Sequence, residues 1–194
     1  MARPDPKDRR VQAARMASVV SGELRGDALR SALETIVAEE PRNGQAQMRL
    51  GYVLAESGAL REAETHFRAA IAAAVPSADA HLGLAMCLVA RGRAVDAFDI
   101  LAEARRVEPG NPVVEANFGM LAMEGGDTAL AIASLTHAIE IDPDLHQARF
   151  NLARALARAG RRSDALSQTT QLLARLPANA PQRPEVERLR QALQ

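Results

Sequence analysis

The sequence predicts an all-α fold built from a 34-residue module that recurs along the chain. Prolines 41, 109, 143 and 177 lie 68, 34 and 34 residues apart, and Pro76 lies one residue beyond the remaining slot. Glycine and alanine recur with the same period, at Gly58, Gly92, Gly126 and Gly160 and at Ala63, Ala97, Ala131 and Ala165. A period in this range indicates stacked helical units, each of which needs its neighbours to bury its apolar face.

Composition supports the same fold class. Alanine, leucine, arginine and glutamate favour helix almost everywhere, and the sequence gives almost no strand signal. Aromatic residues make up only 3% of the chain. We therefore expect a thin core in which leucine, alanine, valine and isoleucine lie between closely packed helices.

Each module contains two helical stripes when its residues are numbered from 1 to 34, with modules beginning at Arg10, Gly44, Ala78, Pro112 and His146. Position 7 is large and apolar, and position 8 is small, which lets the second helix of the hairpin approach the first. The residues at position 7 are Leu50, Leu84, Phe118 and Leu152, followed by Gly51, Ala85, Gly119 and Ala153. The second helix carries alanine at position 20 and a large residue at position 24.

The ends of the helices have their own sequence signals. Glycine at position 15 can adopt the left-handed conformation that closes a helix, which permits a tight hairpin turn. Position 34 has side chains able to cap the next helix, at Asn43, Ser77, Asn111 and Asn179. Leu145 interrupts that pattern, so we expect Asp144 to cap in its place.

These positions resemble the signature of the tetratricopeptide repeat (TPR) family, over residues 10–179. The resemblance implies a right-handed α-solenoid of five helix-turn-helix repeats, at 10–43, 44–77, 78–111, 112–145 and 146–179. The first repeat departs most from the signature, because Leu24 replaces the turn glycine. Residues 1–9 form a charged N-terminal tail, and residues 180–194 form a capping helix whose Val186, Leu189 and Leu193 point back at the last repeat.

The resemblance also implies a peptide-binding groove lined by the first helices of the repeats. Carried onto this chain, the groove is rich in methionine, which adapts to irregular partners, and it contains two asparagines able to grip a peptide backbone. The predicted groove residues are Met48, Tyr52, Leu82, Met86, Asn117, Met120, Met123, Phe150, Asn151 and Arg154. The alternative is that these side chains pack against the neighbouring first helices.

Charge is unevenly distributed along a chain of zero net charge. Residues 44–145 contain 7 basic and 14 acidic groups, whereas residues 146–194 contain 9 and 3. Arg154 and Arg158 form a candidate anion site, with a solvated helix end as the alternative. An acidic body and a basic end also predict a homo-oligomer that stacks head to tail. Nucleic-acid binding is not favoured, because net charge is neutral and aromatic residues are few.

No motif for catalysis, for a metal or for another cofactor is found in the sequence. The four histidines lack metal-ligand spacing, and Gly125-Gly126 is not followed by the lysine and hydroxyl residue of a phosphate loop. Cys87 is the single cysteine and lies in an apolar run, which predicts a packing role. We therefore expect no catalytic residue, no metal and no cofactor.

Two functions remain open on the sequence alone. The first is a protein-protein interaction scaffold that binds a peptide or helix in its concave groove. The second is a C-terminal accessory or oligomerisation domain of a larger bacterial enzyme, because residues 3–9 are similar to the junction before the carboxy-terminal repeats of some bacterial sulfatases. The absence of a signal peptide or membrane span predicts a cytoplasmic protein without membrane insertion, or a periplasmic one if the chain is a fragment of an exported protein.

Overall fold

The computed structural model describes residues 16–19, 22, 24–73 and 77–194. Their regular structure is entirely helical, which confirms the all-α prediction. Residues 16–19 are helical, and ten further helices follow: α1 (Gly26–Glu39), α2 (Gly44–Glu56), α3 (Leu60–Ala72), α4 (Asp79–Ala90), α5 (Ala94–Val107), α6 (Pro112–Glu124), α7 (Thr128–Ile141), α8 (His146–Arg158), α9 (Arg162–Arg175) and α10 (Arg183–Ala192). The predicted tail of residues 1–9 and the start of the first repeat lie outside the described residues.

The chain divides into two compact units, Met1–Ile100 and Leu101–Gln194. In unit 1, α2 packs against α1, α3 and α4. In unit 2, α8 packs against α6, α7 and α9, and α10 packs against α9. Helices α2, α6 and α8 begin at Gly44, Pro112 and His146, which are the first residues of predicted repeats. Consecutive helices therefore pair as hairpins within each unit.

The hairpin turns confirm the predicted role of the glycine at position 15. Gly58, Gly92, Gly126 and Gly160 have φ angles of 82°, 74°, 89° and 73°, in the left-handed region. In each turn the amide after the glycine donates to the carbonyl five residues earlier, at 2.8–2.9 Å, as in Asp127 N to Ala122 O. This is the bond pattern of a Schellman motif, and it satisfies carbonyls that the helix end leaves unpaired.

Asn43 and Asn111 cap as predicted, and Ser77 Oγ accepts from the amide of Asp79, the first residue of α4. Asn43 Oδ1 accepts from the amide of Ala46, and Asn111 Oδ1 accepts from the amides of Val113 and Val114. The expectation for Asp144 is wrong, because Leu145 precedes α8 without a side-chain cap and the Asp144 carboxylate accepts from Arg175 at 2.7 Å. Asn179 also does not cap, since α10 begins only at Arg183, after Gln182.

A buried polar residue occupies position 4 of four repeats. Gln47, His81, Glu115 and Arg149 are 5%, 5%, 3% and 4% exposed. The Gln47 amide donates to the Pro41 carbonyl and pairs with His66, whereas Arg149 donates to the Pro143 carbonyl and to Gln168 and Gln171. Glu115 instead accepts from Arg105 at 2.8 Å. The same position therefore has different polar partners in different repeats.

Glu64 of α3 forms the centre of an ion cluster in unit 1. Its carboxylate accepts from Arg68 on the same helix. It also accepts from Arg91 and, at 3.1 Å, from Arg93, which both lie in the turn between α4 and α5. Burial alone would raise the pKa of Glu64. The Arg68 hydrogen bond and the attraction of Arg91, Arg68 and Arg93 outweigh that effect and hold the pKa below its ordinary value of 4.5.

We expect Glu64→Gln to lower the free energy of unfolding at pH 7 by about 1–3 kcal/mol, since the charge-assisted bonds are lost. Because the pKa of Glu64 is lower in the folded state, its stabilisation is present above the unfolded value and is lost as the pH falls through the folded value. The difference between native chain and variant should therefore shrink below pH 4.5. Urea unfolding from pH 7 to pH 3 measures it, and a difference that stays constant over this range would contradict the assignment.

Candidate functional site

The first helices of unit 1 carry four of the predicted groove residues. Met48 is almost buried, at 8% exposed, whereas Tyr52 and Leu82 are half-buried. Met86 on α4 is 62% exposed, and it is one of the few large apolar side chains that lie open to solvent. The exposure of the predicted groove residues in unit 1 therefore ranges from nearly buried, at Met48, to open, at Met86.

A cleft of about 450 Å³ opens beside Met48 and Tyr52. Its walls come from α1, α2 and the first residue of α4. They are formed by Leu29, Gln45, Met48, Arg49, Tyr52, Val53, Glu56 and Asp79. This volume lies within the range of roughly 300–1,000 Å³ that small-ligand and side-chain pockets occupy. The cleft combines apolar side chains with two carboxylates, on Glu56 and Asp79.

Tyr52 is held in place from two sides. Its hydroxyl donates to the backbone carbonyl of Asp79 at 2.7 Å, and its ring meets the edge of Phe67 with centroids 4.9 Å apart. Burial, followed by the negative charge of Asp79, raises the pKa of Tyr52 to about 12. The phenol therefore remains a neutral donor, and this wall of the cleft is preorganised before any partner arrives.

Three of the six predicted groove residues of unit 2 are buried. Met123, Phe150 and Asn151 are 3%, 8% and 4% exposed, so they are part of the packing and offer little surface to a partner. Phe150 belongs to an apolar cluster that includes Val186 of α10, and Asn151 accepts from Gln147. These three side chains are therefore buried by packing within unit 2.

Asn117 and Met120 on α6 are half-buried. The Asn117 side-chain amide donates to the Val113 carbonyl of its own helix at 2.8 Å. This bond uses one of the two amide hydrogens of Asn117 and does not involve its Oδ1. Asn151 is buried, so the two asparagines do not form a ladder of exposed amides.

The candidate anion site is only partly assembled. Arg158 donates to the Met123 carbonyl at 3.0 Å, and Arg154 lies exposed, with its guanidinium carbon 6.0 Å from the centre of the Phe150 ring. Nearby arginines have structural partners: Arg161 pairs with Asp164, and Arg162 donates to the Leu193 carbonyl. Because these arginines bond to groups of the protein itself, the contacts favour the alternative of a solvated helix end over a shared anion pocket.

Within residues 16–19, 22, 24–73 and 77–194, no group of three or more histidine, cysteine or acidic side chains has the arrangement of a metal site. In the same part of the chain, no helix is both long enough and apolar enough to cross a bilayer. Cys87 is buried, and this burial raises the pKa of its thiol, as expected for a packing residue.

Sequence reasoning missed most of the residues that line the cleft. Leu29, Val53, Glu56 and Asp79 were not predicted as site residues. The sequence does indicate the part of the lining that comes from α2, because residues 45, 48, 49, 52 and 56 lie on one face of that helix. The contributions of Leu29 and Asp79 depend on how three helices pack, and a single helical stripe does not carry that information.

Comparison with protein families gives a direct match. One sequence model described as "Tetratricopeptide repeat" matches residues 54–116 and 122–193, and a second with the same description matches residues 25–74. Together they span most of the chain. Comparison with curated proteins gave no match.

Solved structures similar to this chain have the same fold at low sequence identity. The MamA protein is 19% identical, with a TM-score of 0.72, over 84% of this chain and 90% of that one. YrrB, described as a TPR protein with an unusual peptide-binding site, is 19% identical, with a TM-score of 0.69, over 85% and 84%. TTC0263, a TPR protein of Thermus thermophilus, is 21% identical, with a TM-score of 0.71, over 92% and 98%. At these identities, the likeness shows the fold alone.

Proposed function

Since the chain belongs to the tetratricopeptide repeat family, we propose that it is a protein-interaction module that binds a peptide or helix and catalyses no reaction itself. The family and the fold support a protein-interaction role. Nothing in the described part of the chain favours the alternative of an accessory domain of a larger enzyme. The predicted repeat boundaries, head-to-tail association and cytoplasmic location stay predictions.

The observation that carries the proposal is one face of α4, which begins at the cleft of unit 1 and bears the open Met86 side chain. Asp79, Leu82 and Met86 are spaced by three and four residues, so they lie on one face of that helix. Asp79 lines the cleft, Leu82 is half-buried and Met86 is 62% exposed. Beside the cleft, the open Met86 side chain gives a partner apolar surface to bury. The description of YrrB as peptide-binding agrees with this proposal at the level of the fold.

The proposed surface is narrower than the groove predicted from the sequence. It contains Met48 and Tyr52, which line the cleft, together with Leu82 and Met86 of α4, and it omits Met123, Phe150 and Asn151 of unit 2. Methionine is flexible and polarisable, so Met86 can adapt to a partner without a fixed complementary shape.

We expect Met86→Glu to weaken capture of the chain's binding partner about tenfold or more, because a central apolar contact is replaced by a charge. Val95→Glu is the matched control, since Val95 is 78% exposed on α5 and lies outside this surface. Quantitative pull-down compares one partner across the native chain and both variants, and thermal unfolding verifies that both variants remain folded. Equal capture by the native chain and the folded Met86→Glu variant would exclude this surface.

A further inference from the structure

The cleft of unit 1 has a chemical character that goes beyond an apolar groove. Leu29, Met48 and Val53 supply an apolar floor from α1 and α2. Met48 is only 8% exposed, so an entering side chain would contact a methionine that is already packed on its other sides. A floor of this kind favours an aliphatic side chain, because burying it removes apolar surface from water.

The rim of the cleft is acidic. Glu56 is the last residue of α2, and Asp79 is the first residue of α4; both are exposed. The carboxyl end of α2 adds the partial negative charge of the helix dipole to that of Glu56. The rim therefore presents two carboxylates to anything that occupies the cleft.

Among the described residues that line the cleft, Arg49 is the cation, and it places one positive charge beside the two carboxylates. Arg49 is half-buried, and its guanidinium donates to the Val19 carbonyl at 3.4 Å. The Asp79 backbone is also occupied, since its carbonyl accepts from Tyr52 and its amide donates to Ser77. These bonds fix the position of Asp79 at the start of α4 and leave its carboxylate at the rim.

We propose that this cleft binds a peptide segment in which an aliphatic side chain is adjacent to a lysine or arginine. The aliphatic group enters above Met48, and the neighbouring cation pairs with Glu56 and Asp79. This inference rests on the proposed function and adds the chemistry of the partner. Charge complementarity at the rim selects a basic segment over an acidic one, since like charges there would repel.

The test uses three blocked nonapeptides that differ only at their centre, in a Ser-Gly background: one with Leu-Lys, one with Leu-Glu and one with Ala-Lys. Methionine methyl groups labelled with ¹³C report binding by NMR, and Met48→Leu assigns the resonance of the cleft. The Leu-Lys peptide should shift the Met48 methyl resonance saturably. The buried Met123 of unit 2 serves as the internal reference and should not move.

We expect the Leu-Glu and Ala-Lys peptides to bind about tenfold more weakly than the Leu-Lys peptide, because the first loses the ion pairs and the second loses the buried side chain. Glu56→Gln with Asp79→Asn should reduce the preference for lysine about threefold to tenfold. Asp99→Asn with Glu103→Gln removes two exposed carboxylates of α5, outside the cleft, and should leave the preference unchanged.

Three outcomes would overturn the inference: no saturable shift at Met48 with the Leu-Lys peptide, equal binding of the Leu-Lys and Leu-Glu peptides, or an unchanged preference in the Glu56→Gln, Asp79→Asn variant. Each of these outcomes would contradict the peptide chemistry without contradicting the proposed function. Partner capture that depends on Met86 would still support a protein-interaction role, even if these peptides showed no preference.

Discussion

Replacing Gly83 with alanine should lower the free energy of unfolding by about 2 kcal/mol, although alanine is the better helix former by about 1 kcal/mol. A Cβ atom at Gly83 would lie 2.4 Å from the Cε1 and Cζ atoms of Phe67. Phe67 is completely buried and also lies against Gly51, where a Cβ would be 2.9 Å from the ring. The ring therefore has little room to move away, and the clash outweighs the gain in helix propensity. Urea unfolding followed by circular dichroism measures the loss.

Two variants test whether the clash is the cause. Gly125→Ala is the matched control, because its φ is −72° and the nearest atom to a new Cβ is the Leu121 carbonyl oxygen at 3.4 Å. It should cost nothing or stabilise slightly. Phe67→Leu removes the ring, so Gly83→Ala should become nearly neutral in that background. The same cost in both backgrounds would show that Phe67 is not responsible.

Placing a carboxylate at Val186 should cost about 3 kcal/mol or more and release α10 from unit 2. Val186 is 1% exposed and packs with Phe150, Leu172, Leu173 and Leu176. Aspartate at this position would bring a charge into an apolar cluster that offers it no partner. We expect amide hydrogen exchange in α10 to lose its protection, together with a lower midpoint of thermal unfolding.

Arg188→Asp is the control for this variant, because it introduces the same residue on the same helix at an exposed position. It should leave both the exchange protection and the midpoint close to those of the native chain. Full protection of α10 in Val186→Asp would mean that Val186 does not anchor the helix.

The features that sequence reasoning recovered depend on local backbone geometry or on one helical face. Position 7 is buried in each case, with Leu50, Leu84, Phe118 and Leu152 at 1%, 0%, 5% and 4% exposed. The turn glycines and the Asn43 and Asn111 caps are likewise set within a few residues of sequence. A period of 34 residues makes these signals reinforce one another, so the fold could be predicted without coordinates.

The depth of each side chain was not predictable in the same way. The helical pattern assigns Met86 and Phe150 to equivalent faces, but Met86 is 62% exposed and Phe150 is 8% exposed. Phe150 is buried because its cluster includes Val186 of α10, a helix that follows the last repeat. The cleft has the same origin, since Leu29, Tyr52 and Asp79 come from three different helices. Periodicity identifies a face, and the neighbouring helices decide how much of it remains open.

The varied polar residues at position 4 have a consequence for how the chain finds its native order. Hairpins with nearly interchangeable apolar contacts are prone to pair with the wrong copy, within one molecule or between two. Gln47, Glu115 and Arg149 reduce that hazard, because each matches only the polar groups of its own surroundings. An exchange that placed Arg149 where Glu115 lies would bring a guanidinium against Arg105 in place of the carboxylate that pairs with it. We therefore expect these polar residues to favour pairing of each hairpin with its native neighbour during folding.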